Sequence, residues 1–378
     1  MRLERRLEQP RWLVIAVPVG SVAFSFAVMA VVLVATGHDP GYTYRRLFSA
    51  AFTADGALTS TLVFATPIVF TGLAAAAAFR MQLFNIGGEG QLYLGAVAAV
   101  GIALWLGDRG VTSTPLLILA MCLCGAAAGA AWAAIPGVLR AFFKTNEIIT
   151  SLMLNYVAAL LLTYLILDSF SYWRDTESFE GKTFGIGKVI PEEAHWPSAT
   201  LGVAGGVVVP LGFAMAIVLA IVVWVLYSRT RFGFELQVIG DSQRTARYAG
   251  MRLRRKILAV MCLSGAIAGL GGAALEGDFA HQLDPTGLPA SYYGYTGIVV
   301  AALARYNPLA VVPVGFLLGG LLSAGFTLQG ADFPSGLVGV MQGIILFCAL
   351  GGELLIRYRV RIGRGMRGPA SAAAEPAP

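Results

Sequence analysis

The sequence predicts an all-α, polytopic membrane protein with about ten transmembrane helices and both termini cytoplasmic. Three observations predict it. First, 57% of the 378 residues are hydrophobic and only 13% are charged, about half the share in an ordinary soluble domain. Second, the apolar residues fall into ten runs, most of them near the roughly 20 residues that a span needs. Third, Lys and Arg crowd into alternate connections between those runs. The mean hydropathy of +0.73 excludes a disordered chain, and four Cys in a chain this long exclude a disulfide scaffold. So few charges leave too little polar surface for a soluble enzyme. The net charge of +6 belongs to residues that flank spans, so no nucleic-acid partner is expected.

The elements follow in order. Residues 1–11 form a cytoplasmic N-terminal segment whose start resembles the basic region of a signal peptide. The apolar run from Trp12 to Thr36 is too long for a cleaved leader and reads as an uncleaved first span. The transmembrane domain covers 12–356. Further runs are Ala57–Phe79, Phe84–Leu106, Pro115–Leu139, Ile148–Leu167 and Leu201–Tyr227. Then come Ile257–Leu275, Tyr292–Ala304, Pro308–Leu328 and Ser335–Ile356. The third run carries polar residues and the eighth is short, so either could be re-entrant. Ten crossings put 21 of the 27 basic residues inside; losing only the third or only the eighth crossing turns a strongly basic segment outward.

The longest outer connection, 168–200, is acidic, with Trp173 and Trp196 near its ends. Glu276, Asp278, Asp284 and Asp332 fall in other outer connections. This acidic face is either a partner-docking surface or an ordinary solvated face with interfacial Trp. Residues 229–256 form the basic inner loop, and 357–378 a basic, low-complexity tail expected to be disordered.

Several chemistries are missing from the pattern. Cys122, Cys124, Cys262 and Cys348 lie in apolar runs as small packing residues, and His38, His195 and His281 form no cluster in the sequence. No phosphate-binding G-x-x-x-x-G-K-[ST] motif occurs, and Gly181-Lys182-Thr183 has Thr176 where its first Gly belongs. Glu89 is the one clear carboxylate within an apolar run, fewer than a proton-coupled carrier needs. Neither catalysis nor a metal site is expected, and energy for uphill transport must come from another subunit.

Two segments carry information. Phe84-Asn85-Ile86-Gly87-Gly88-Glu89-Gly90-Gln91 opens the third run with three Gly among polar side chains. Such a broken helix end either lines a substrate path or packs closely, with Glu89 paired to a cation such as Arg80. Asn85, Glu89, Gln91 and Asn155 are the candidates to line or brace a path. In the inner loop, Asp241 or Ser242 can cap a short helix over Gln243–Ala249, and Gly250 can end it. Ala246 and Ala249 then share a small face suited to a cleft on another protein; a lipid-facing basic loop is the alternative.

Gly240-Asp241, Ala246, Ala249-Gly250 and the following Leu263–Leu270 resemble the coupling loop and next helix of ABC importer permeases of the branched-chain amino acid, ribose and nucleoside type. Phe84–Gln91, Thr145–Tyr156 and Gly297–Leu303 with Asn307-Pro308 resemble the nucleoside-type members. The resemblance covers roughly Ala57 to Glu353, with Gly88 where members often carry another small residue. It implies a bacterial inner-membrane permease paired with a second permease chain, similar or identical. It also implies cytoplasmic ATPase subunits that carry ATP and Mg, and an extracytoplasmic solute-binding protein. Gly240, Asp241, Arg244, Ala246, Arg247, Ala249 and Gly250 are then the ATPase-coupling residues. Nucleoside is the favoured solute; branched-chain amino acids and sugars stay open, as does an ion-coupled secondary transporter.

Overall fold

Long apolar runs with few charges dictate helices, because only intrahelical hydrogen bonds satisfy the backbone without water. The computed structural model describes residues 2–5, 11–202, 206–329 and 336–361. Seven of its helical stretches are long and apolar enough to cross a membrane. The chain begins with strand β1 (Arg2–Arg5), helix α1 (Arg11–Ala35) and the short α2 (Pro40–Phe48), capped by the Asp39 carboxylate on Gly41 N. Then follow α3 (Ala57–Phe79), α4 (Gly88–Gly107), α5 (Thr114–Phe143) and α6 (Glu147–Thr163), which a π turn extends to Asp168. The connection that follows holds α7 (Phe179–Phe184) and ends in a hairpin of β2 (Ser198–Leu201) and β3 (Val207–Pro210). Next come α8 (Leu211–Arg229), α9 (Arg231–Asp241), α10 (Gln243–Tyr248) and α11 (Leu253–Leu275). The chain closes with α12 (Gly287–Ala290), α13 (Tyr293–Leu303), α14 (Pro308–Thr327), α15 (Gly336–Arg357) and β4 (Tyr358–Arg361).

The core is α3, α4, α5 and α11, with α13 and α14 against α3. Small residues set its spacing. A side chain at Gly129 or Gly265 would strike the backbone carbonyl of the other, and Gly269 approaches Gly125 in the same way. Helices α5 and α11 therefore pack backbone to backbone, as small-residue contacts permit where lipid offers no hydrophobic drive.

Three expectations need correction. The run read as Leu201–Tyr227 starts with the β2–β3 hairpin, and its helix begins only at Leu211, because Val207–Pro210 is β-branched and ends in Pro. Residues Phe84–Gly87 are not helical, since the Gly-rich stretch delays α4 to Gly88. Residues 358–361, at the start of the stretch expected to be disordered, form β4 instead, antiparallel to β1 with Arg2 opposite Arg361. Asp332 and the tail beyond Arg361 lie outside the described residues.

Candidate functional site: a bonded junction of two broken helices

Helices α4 and α13 both begin inside the bundle, each after an irregular stretch. At only 11 residues, α13 is about 16 Å long, half of a typical hydrocarbon core. Its first amides would be unpaired in the interior without a partner. Glu89 supplies it: one carboxylate oxygen accepts from Gly294 N at 2.5 Å and Tyr295 N at 3.1 Å. The other oxygen accepts from the Tyr93 hydroxyl at 2.6 Å. Glu89 also lies in the first turn of α4, where a carboxyl group suits the helix dipole. Arg80 is not its partner, because that guanidinium sits over the Tyr227 ring at 5.5 Å.

The other candidates join the same junction. Asn85 and Gln91 exchange amide hydrogen bonds, both at 3.0 Å. Asn85 Nδ2 also donates to Ser264 Oγ at 2.9 Å, and Ser264 donates to the Ala74 carbonyl at 2.7 Å. Asn155 Oδ1 accepts from Gly90 N at 2.9 Å, while Asn155 Nδ2 donates to the Ile86 carbonyl at 2.8 Å. The same Nδ2 reaches the Tyr295 hydroxyl at 3.3 Å. Asn85, Glu89, Gln91 and Asn155 are each no more than 3% exposed, and their hydrogen bonds brace the junction. A Cβ at Gly90 would crowd Ala158 and Asn155, whereas one at Gly88 would meet nothing; position 88 tolerates other small residues.

Sequence reasoning missed the aromatics around this brace. Tyr156 and Tyr292 are 59% and 58% exposed. The Tyr292 and Tyr295 ring centroids lie 6.2 Å apart, and Tyr156 directly follows Asn155, whose Nδ2 reaches the Tyr295 hydroxyl. Tyr292 holds a left-handed backbone, φ 51°, just before α13, uncommon for a bulky residue. Tyr next to the Asn155 motif and the Tyr-Tyr-Gly-Tyr run were the available signals.

The inner loop also takes shape from its caps. Thr230 caps α9, and Ser242, not Asp241, caps α10 by accepting from Thr245 N at 3.3 Å. Gly250 follows with φ 73°, the left-handed turn expected of it. Gly240 and Asp241 belong to α9, and a Cβ on Gly240 would press the Arg80 carbonyl.

The family model described as "Branched-chain amino acid transport system / permease component" matches residues 57–350. The chain belongs to this permease family. The permease is 35% identical to a glucose ABC transporter permease protein of Haloferax volcanii, over 98% of this chain and 97% of that one. It is 32% identical to a guanosine ABC transporter permease protein of Bacillus subtilis, with 87% and 91% covered. A nucleoside ABC transporter permease protein of Lactococcus lactis is 28% identical, with 88% and 90% covered. A permease of this kind is the transport subunit of an ABC importer and not itself an enzyme, and the family implies ATPase and binding-protein partners.

The permease departs from the expected coupling face. Ala246 is fully buried in its own chain, while Ala249 is exposed; the two do not form one docking face, because α10 turns Ala246 onto the core. Arg244 and Arg247 are exposed. Tyr248, unremarked in the sequence, is 88% exposed at the end of α10.

The connection 168–200, expected to face outward, also differs. The rings of His195 and His281 stack at 3.8 Å, so two of the three His do meet, brought together across more than eighty residues of chain. The connection 168–200 is pinned by backbone bonds from Ile190 N to His281 O at 2.8 Å and Trp196 N to Gly277 O at 2.9 Å. Trp173 donates to the Val97 carbonyl at 2.9 Å, and Trp196 is buried; both Trp fasten the connection to the bundle instead of floating at an interface. Glu276 is 1% exposed, not part of a solvated acidic face.

Proposed function

We propose that this chain forms one half of the membrane path of an ATP-driven importer in a bacterial inner membrane, and that its solute is a nucleoside. The observation carrying the solute reading is a tyrosine group beside the Glu89 junction, the exposed Tyr156 and Tyr292 with the half-buried Tyr295. Base–aromatic stacking contributes about 1–3 kcal/mol per base, and the tyrosine hydroxyls offer partners for ribose. The guanosine and nucleoside relatives support it. The glucose relative favours a second reading, a hexose. Uptake of radiolabelled guanosine and glucose by cells carrying the whole transporter separates them. Nucleoside uptake that excess glucose leaves intact, and that Tyr292→Ala lowers about tenfold, fits the proposal; glucose uptake that nucleosides leave intact overturns it.

A second permease chain covers the exposed side of the path. Cytoplasmic ATPase subunits bind ATP and Mg and grip α10, and their closure moves the spans through alternating access. An extracytoplasmic binding protein docks on the outer connection. The exposed Phe170, Phe179 and Phe184 with the exposed Glu177, Glu192 and Glu193 support that docking. Ten crossings with both termini cytoplasmic are proposed: α1, α15 and the short α13 add to the seven long apolar helices. The β1–β4 pairing supports an even number of crossings between the chain ends. In a variant lacking native Cys, Ser178→Cys should react with an impermeant thiol reagent from outside and Thr245→Cys should not. The reverse pattern contradicts the topology. Retention of an ATPase in mild detergent distinguishes this importer from an ion-coupled carrier, which retains none.

A further inference from the structure

A cleft of about 740 Å³ opens beside α10, where α5 ends and α11 begins. Six cations line it: Arg140, Lys144, Arg247, Arg252, Arg254 and Arg255. Glu147 pairs with Arg140 at 3.1 Å. Among the described residues no carboxylate comes within ion-pair distance of the other five. Arg254 lies over the Phe142 ring at 5.2 Å. Five like charges around one cleft repel one another unless an anion sits among them.

The rest of the lining identifies the anion. Ala141, Phe142, Leu253 and Ile257 make one wall apolar. That wall continues into the exposed side of α5, where Leu116, Leu119, Leu123, Ile135 and Val138 present an uncovered apolar face. A small free anion has no use for such a wall, and an acidic protein segment would leave it uncovered. A phospholipid satisfies both halves: its headgroup takes the cations and its chains follow α5. The number of unpaired cations fits two phosphates better than one.

We infer that this cleft binds the headgroup of an anionic diphosphatidyl lipid, of the cardiolipin class, and thereby holds α10 against the start of α11. Basic pockets at the cytoplasmic ends of spans recognise such headgroups, at about fivefold in affinity per cation. The inference rests on α5 and α11 being membrane spans and is independent of the solute.

Native mass spectrometry of the full transporter in mild detergent tests it, with tetraoleoyl cardiolipin, phosphatidylglycerol or phosphatidylcholine added. Cardiolipin should stay bound at least tenfold better than phosphatidylcholine. Arg252→Gln/Arg255→Gln should weaken it about twenty-fivefold. The equal charge change Arg45→Gln/Arg46→Gln, on exposed α2, should leave it unchanged. If the double variant fails to assemble, Lys144→Gln replaces it, with about fivefold expected. Equal retention in the assembled cleft variant and the original overturns the inference. So does displacement of cardiolipin by millimolar inorganic phosphate, which would mark a free-anion site. Binding to the permease alone that vanishes once the ATPase is present would assign the cleft to the ATPase contact and overturn it equally.

Discussion

Glu89 and Tyr248 show how much one side chain decides. Glu89→Ala leaves two buried amides, Gly294 N and Tyr295 N, without their acceptor. Each such loss costs about 1–3 kcal/mol, so the variant should melt several degrees lower in detergent and lose uptake. Glu89→Gln keeps an oxygen for the amides and turns its NH2 to Tyr93, so ATPase assembly should survive while uptake falls less than in the Ala variant. Equal melting temperatures for Ala and the original residue would remove the bracing role. At α10, the proposed ATPase contact, Tyr248→Ala should weaken ATPase retention by about 2 kcal/mol or more, as loss of an aromatic anchor does. Arg247→Ala should cost about 1 kcal/mol or less, as a rim ion pair does. A pull-down titration ranks the two, and the opposite ranking would contradict a steric anchor. The polar residues of the junction were legible because Asn85, Glu89 and Gln91 stand out in an apolar run. Their partners were not: the bonds reach Gly294 and Ser264, some two hundred positions away. Tyr248 was invisible because an exposed and a buried Tyr read alike in a sequence.

Among the elements, the α5–α11 contact depends on glycine spacing. Gly265→Leu drives a side chain into the Gly129 carbonyl, and overpacking of this kind costs about 1–3 kcal/mol or more. The variant should aggregate on solubilisation, whereas Gly88→Ala, facing open space, should behave like the original. Size-exclusion profiles in detergent compare them. The outer connection carries a pH dependence. Burial, and then the stacked His195 ring, hold His281 below the ordinary imidazole value of 6.5, against a smaller opposing contact with the Glu276 carbonyl. The docked connection therefore favours neutral His281, and the undocked state takes up protons first. Docking should be complete above about pH 6.5 and weaken as pH falls below it. Hydrogen exchange at Ile190 and Trp196 should speed up on acidification, and His281→Gln should flatten that response; an unchanged response would place the titrating group elsewhere. The long helices were readable from hydropathy, and the short α10 from its capping residues and its Gly250 stop. The β2–β3 hairpin and α9 were not. Hydropathy alone merges a β-branched hairpin into the span that follows, and α9 is amphipathic within a loop read by its charge.

For the molecule as a whole, two features stand together: a braced junction of broken helices inside the bundle, and the short helix α10 with exposed Arg244, Arg247 and Tyr248, proposed as the ATPase contact. The central claim is that this permease moves its solute only when an ATPase drives α10. The direct measurement is uptake of radiolabelled guanosine into proteoliposomes containing this chain, its partner permease, the ATPase and the binding protein, with ATP or a non-hydrolysable analogue inside. Uptake that requires hydrolysable ATP, and that Tyr248→Ala abolishes while hydrolysis continues, is the predicted result. Guanosine uptake of equal size without ATP, or driven by an imposed proton or sodium gradient, would contradict it.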